Sequence, residues 1–158
     1  MTSLIGVHGI GGGPPQFLFD AGMRVAKWVN ATPPSNLPFG FVGIWRWVES
    51  PDSYNDKMGS NPEVEAQAWV DKQAIHFQDV PKSIWIEGPN ESNCEDGVQA
   101  AWVNRFWLKF MQVMESRGYK TCIGSFGTGR PSLPVTDPQG IAIWTALLPM
   151  LRYAKANG

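Results

Sequence analysis

The sequence predicts an α/β fold built on a parallel sheet. Short apolar runs of strand length alternate with stretches of helical periodicity. Gly and Pro punctuate the junctions between them. The third run, Phe39 to Val48, is apolar on both faces, as a strand covered on both sides is. At 158 residues the chain is expected to form a single domain, 1–158, with a sizeable core. Hydrophobic residues make up 43% and aromatics 12%, with eight Trp, which places it among globular and not disordered chains.

The elements follow in order. Leu4 to His8 reads as the first strand and runs into the glycine-rich Gly9-Ile10-Gly11-Gly12-Gly13. Pro14-Pro15 opens a short helix through Gln16 to Ala21, which Gly22 stops. Met23 to Asn30 is the second strand, with Val25, Lys27 and Val29 on one face, followed by a Pro-rich loop from Thr32 to Pro38. After the third strand, residues 49 to 61 form a polar loop. Asn61-Pro62-Glu63 then starts a helix with Asn as the cap, Pro in the first position and Glu in the first turn. Its helical spacing is carried by Val64, Ala68, Trp69, Lys72 and Ile75. Ser83 to Glu87 is strand four. Val98 to Ser116 is a long helix with Ala101, Trp102, Arg105, Leu108 and Val113 near its period, terminated by Gly118. Lys120 to Phe126 is strand five, and Gln139 to Ala156 is a last helix that Pro149 should kink or break. The order is βα five times, and no sequence repeat or low-complexity tract accompanies it.

Two architectures fit that order. A (β/α)8 barrel has about 250 residues, or about 31 per unit, so 158 residues holding five units match five-eighths of one. The alternative is a five-stranded, flavodoxin-like doubly wound sheet that would bind a nucleotide or flavin. Strand order separates them: sequential 1-2-3-4-5 for the partial barrel, 2-1-3-4-5 for the doubly wound sheet.

Composition excludes several functions. A formal net charge of -1 gives no electrostatic case for nucleic acid or an anionic membrane. No apolar run approaches the roughly 18 residues of a membrane span. The N-terminus enters a strand almost at once and leaves no room for a signal peptide, so secretion would need a leader already removed. Cys94 and Cys122 form no metal or redox motif, and neither a metal nor a cofactor is expected. Gly127-Thr128-Gly129-Arg130-Pro131-Ser132 lacks the third glycine of a dinucleotide fingerprint. His8-Gly9-Ile10-Gly11-Gly12 is like the oxyanion loop of some esterases, but Ile123-Gly124-Ser125-Phe126-Gly127 is not a nucleophile elbow. The other histidine, His76, lies on a helix.

Carboxylates at strand ends are what the sequence offers. The run Ile84-Trp85-Ile86-Glu87 breaks into Gly88-Pro89 and presents Asn90-Glu91. In a parallel barrel the C-terminal strand ends carry the chemistry. A carboxylate there beside an amide that can bond a sugar hydroxyl fits acid/base work on a glycosidic bond. Glu91 is the candidate general acid/base, and Asn90, His8, Trp45, Trp47 and Glu49 are candidate substrate contacts, the Trp rings by stacking on sugar. Glu87 alternates with Glu91 and is expected to be an interior ion-pair partner of Lys27 or Arg46. Glu49 and Asp52 follow strand three and could supply a second carboxylate only through loop geometry.

Val7-His8-Gly9 followed by a Gly-rich loop, and Trp85-Ile86-Glu87-Gly88-Pro89-Asn90-Glu91, resemble the first and fourth strands of glycosidase-like barrels of the clan A (β/α)8 glycoside hydrolases. The resemblance extends along the whole chain in strand order. It implies hydrolysis of O-glycosyl bonds in a carbohydrate substrate, with Glu91 as acid/base and Asn90 bonding the sugar 2-hydroxyl. It also implies a nucleophilic Glu at the end of a seventh strand, whereas this sequence stops at Gly158, after the fifth helix. The expectation is therefore a fragment of low activity alone, which associates with a missing barrel half or forms a homo-oligomer. A non-catalytic glycan-binding or assembly module on the same scaffold is the other expectation.

Overall fold

Five short runs rich in β-branched and aromatic residues form the sheet of this computed structural model, which describes residues 6–8, 15–49, 54–90, 92–126 and 131–157. The strands are β1 (Gly6–His8), β2 (Val25–Val29), β3 (Val42–Arg46), β4 (Trp85–Glu87) and β5 (Lys120–Cys122). All pair in parallel, in the order β1-β2-β3-β4-β5. The 2-1-3-4-5 order of a flavodoxin-like sheet is not what these strands adopt.

Four helices accompany the sheet among the described residues: α1 (Pro15–Asp20), α2 (Pro62–Phe77), α3 (Gly97–Ser116) and α4 (Pro138–Asn157). The expected fivefold βα repeat is incomplete. β2 connects to β3 through a loop without a helix, where Pro33, Pro34 and Pro38 remove the amide donors a helix needs. Asn61 caps α2 by accepting from the amides of Glu63 and Val64, and Asp96 caps α3 by accepting from those of Val98 and Gln99. Gly118, at φ +78°, turns the chain out of α3 and into β5.

Register assigns each residue a face. Ala26, Trp28, Gly43, Trp45 and Ile86 point to one side and are buried. There they join Trp69 and Val70 of α2 and Trp107 and Phe110 of α3 in one apolar core. α3 lies between α2 and α4 and packs on both. Val25, Lys27, Val29, Val42, Ile44, Trp85 and Cys122 point to the other side and are half-buried. Two glycines set the closeness of the core. A Cβ on Gly43 would lie 2.6 Å from Ile84 Cδ1, and one on Gly88 would lie 2.6 Å from Cζ3 of the Trp107 indole.

Pro149 neither breaks nor ends α4, which runs continuously through it. A proline removes one helical hydrogen bond and its ring displaces the carbonyl four residues back. Here the amide of the next residue, Met150, donates to Oδ1 of buried Asn104 on α3 at 2.8 Å. The neighbouring helix thus contributes a bond at the disturbed turn.

The helix faces also differ from the sequence reading. α2 buries Ala66, Trp69, Val70, Gln73 and Phe77, while Val64 and Ile75 are turned to solvent at 62% and 69% exposure. Trp69 and Phe77 bury more apolar area than Val64 and Ile75 could, and the helix rotates to the larger gain. Among the described residues no helix is long and apolar enough to cross a membrane.

Candidate functional site

The middle of β2 and the C-terminal ends of β3 and β4 bring three charged side chains together on the half-buried side of the sheet. Lys27 Nζ lies 2.5 Å from Glu87 Oε2, and an Arg46 guanidinium nitrogen lies 3.8 Å from Oε1. The register explains the meeting: Lys27 and Arg46 are two rows apart on one face, and Glu87 lies on that face in the neighbouring strand. Ser125, in the loop after β5, donates its hydroxyl to Glu87 Oε1 at 2.6 Å. Gly124, at φ +76°, supplies the turn that directs this loop back over the strand ends. Arg46 and Glu87 are only 5% and 6% exposed, so this is a buried network drawn from three strands and the loop after β5. A carboxylate so held is a fixed anchor, because each oxygen has a charged or hydroxyl partner.

Cys122 pairs in register with Glu87. Burial first, and then the Glu87 charge, push its thiol above the usual cysteine value, with Lys27 opposing. Cys94 is buried and pushed up to about 11, also mainly by burial. Both cysteines are free thiols. Among the described residues no cluster of His, Cys, Asp and Glu could hold a metal ion.

Gly88 and Pro89 leave the strand buried, and Asn90 emerges half-buried in a bend directly after them. Glu91, the candidate acid/base, lies outside the described residues. So does Asp52. His8 ends β1 in register with Lys27, which places its backbone in the same row of the sheet.

The other expected substrate contacts are placed elsewhere. Trp45 is 2% exposed and belongs to the helix-covered core, so it has no ring face to offer a sugar. Trp47 stacks on His76 of α2, with centroids 4.1 Å apart and planes 8° apart, and on Trp45 at 6.4 Å. Glu49 joins this group through Lys72 at 2.6 Å and His76 at 3.3 Å. The Lys72 hydrogen bond above all, with help from Trp47 and His76, holds its carboxyl below the usual carboxylate range. Alternation along β3 accounts for the split: Arg46 faces Glu87, while Trp45 faces α2 and Trp47 stacks against it. Sequence reasoning examined Ser125 only as a nucleophile and missed it as a partner of Glu87. Its position just past the end of a fifth strand was the signal available. It also left His76 on a helix remote from strand ends, where no spacing rule could reveal the stack with Trp47.

A cavity of about 460 Å³ is at the opposite ends of β4 and β5, against α3 and α4. Comparison with protein families, curated proteins and solved structures finds no match for this chain.

Proposed function

We propose that the chain is a glycoside-hydrolase-type protein on a partial (β/α) barrel scaffold, acting on a glycan with Glu91 as general acid/base and Asn90 as the contact to a sugar hydroxyl. The observation that carries the reading is the Lys27–Glu87–Ser125 network at the C-terminal strand ends. It fixes the end of β4 three residues before Asn90, in the region where parallel barrels do their chemistry. The sequential parallel strand order supports the scaffold. In this reading Glu87 is a positioning residue: it holds β4 to β2 and to the loop after β5, and so sets the direction in which Asn90 and Glu91 leave the strand. Glu91 supplies or removes the proton on the glycosidic oxygen.

A binding-module reading is favoured by one observation. A hydrolase needs a second reacting carboxyl group about 5–9.5 Å from the first. Glu49 is engaged by Lys72 and His76 beside α2, and Glu87 is engaged by Lys27 and Ser125. Both carboxylates are thus already held by cationic or hydroxyl partners.

The test is an oligosaccharide array followed by calorimetry and turnover assays on the hits, using the full chain and Glu91→Gln. The expected result is saturable glycan binding by both proteins, with slow hydrolysis lost in the variant. Binding with no turnover in either assigns the binding module. No glycan bound across the array overturns both readings.

A further inference from the structure

We infer that the outer edge of β5 is a strand-docking site, which takes an extended peptide segment from a partner protein, alternating apolar and acidic residues. β5 is last in the strand order and, among the described residues, pairs on one side only, with β4. Beside it is the cavity of about 460 Å³, lined by Trp85, Met111, Tyr119, Lys120, Tyr153 and Lys155 among others. Its walls are the starts of β4 and β5, the end of α3 and the last turns of α4. It is therefore at the other end of the strands from Glu87, and the inference stands apart from the glycan reading.

The backbone argues for a strand. An edge strand presents N–H and C=O groups that an extended chain satisfies in a regular ladder. Side chains of a strand added there alternate between the two faces of the sheet. One set meets the Trp85 side and the other meets Met111 and Tyr153 on the helix side. Both walls are apolar and aromatic, which is why the segment alternates around apolar anchors.

The charge argues for acidic residues. Lys120 and Lys155 are both exposed and, among the described residues, neither has a carboxylate partner. Lys120 Nζ lies 5.5 Å from the centre of the Trp85 ring. The acid in the wall, Glu115, is occupied by the Tyr153 hydroxyl, which donates a short hydrogen bond to it. Two lysines against one glutamate leave the wall net positive, which favours a negatively charged partner over a basic one.

The experiment uses the full chain and a fluorescein-labelled peptide, Glu-Val-Thr-Ile-Glu-Val-Thr, with its Lys-for-Glu analogue as the control. Anisotropy reads binding, and hydrogen exchange reads the amides of Lys120–Cys122. The expected result is saturable binding of the acidic peptide and slowed exchange at β5. Binding should weaken at least tenfold in Lys120→Glu/Lys155→Glu, and that variant should prefer the Lys analogue. Both lysines are exposed, so the variant is expected to fold, and far-UV circular dichroism checks it. No saturable binding, binding without protection of β5, or binding indifferent to charge reversal overturns the inference. So does a cavity that takes a compact aromatic anion but no peptide. A dimer whose β5 amides are protected without any peptide assigns the edge to a second copy and also overturns it.

Discussion

At Glu87 two carboxylate oxygens meet an ammonium, a guanidinium and a hydroxyl in a site only 6% exposed. Removing one partner of such a pair leaves the other charge buried and uncompensated, which costs about 3 kcal/mol or more. Lys27→Met alone and Glu87→Leu alone are therefore expected to lower the urea midpoint sharply. The double variant should recover only part of the loss, because it removes the Lys27–Glu87 pair whole but also takes the Glu87 contact from buried Arg46. Additive losses in the double variant would show that the pair is not a coupled unit. Gly88 shows a second residue-scale constraint. In Gly88→Ala the new methyl meets the rigid Trp107 indole, whereas in Gly43→Ala it meets the movable Cδ1 atoms of Ile84 and Leu37. Overpacking costs about 1–3 kcal/mol, and Gly88→Ala is expected at the upper end and Gly43→Ala at the lower. Equilibrium unfolding of the two variants side by side checks the order.

Between elements, α3 carries the connections. Arg105 holds Glu63 of α2 through two hydrogen bonds of 2.7 Å, and Arg117 pairs with Asp71 of α2. The Arg105 hydrogen bonds hold the Glu63 carboxyl below its usual value of 4.5. A carboxyl lowered on folding adds stability that is fully present above the unfolded value and is lost as the pH falls through the folded one. The pair is exposed, so its contribution at neutral pH is at most about 1 kcal/mol. Arg105→Met is expected to reduce stability slightly at pH 7 and to make no difference at an acid pH below the lowered folded value, where the carboxyl is protonated in both states. Denaturation midpoints at the two pH values decide it: an equal loss at both would mean that Arg105 acts through packing alone. On the other side of α3, Asn104 serves α4. Asn104→Ala leaves the Met150 amide without that acceptor beside Pro149 and is expected to cost about 1–3 kcal/mol. Hydrogen exchange should show the loss concentrated in the second half of α4.

For the whole molecule, the asymmetry of the sheet matters most. Helices cover one face, while the other carries Val25, Val29, Val42, Ile44 and Trp85 half-buried. Parallel sheets are normally covered on both faces, and here the described helices cover one. Among the eight Trp, Trp47, Trp85 and Trp144 are half-buried and the other five are buried. In Trp47→Phe/Trp144→Phe, acrylamide should quench one emitting component, and the further change Trp85→Phe should abolish it. Emission from Trp85 that acrylamide cannot reach would mean that this face is covered in solution.

The sequence by itself determined the α/β class, the five strands, the cap at Asn61 and the stop at Gly118, because these depend on local propensity and backbone chemistry. Period-two alternation also put Glu87 on a face where it needed a cation. Only the tertiary structure decided which face of α2 is buried: of Val64, Ala68, Trp69, Lys72 and Ile75, which share the helical spacing, Trp69 alone is buried, beside Val70 and Phe77. Only it decided that Trp45 joins the core and that Trp47 and Glu49 join His76 and Lys72. Those partners lie more than twenty residues away along the chain, and no spacing rule relates them. The bond from Met150 to Asn104 is of the same kind. A proline announces the disturbed turn in the sequence, but the group that bonds the next amide comes from a neighbouring helix, and packing alone brings it there.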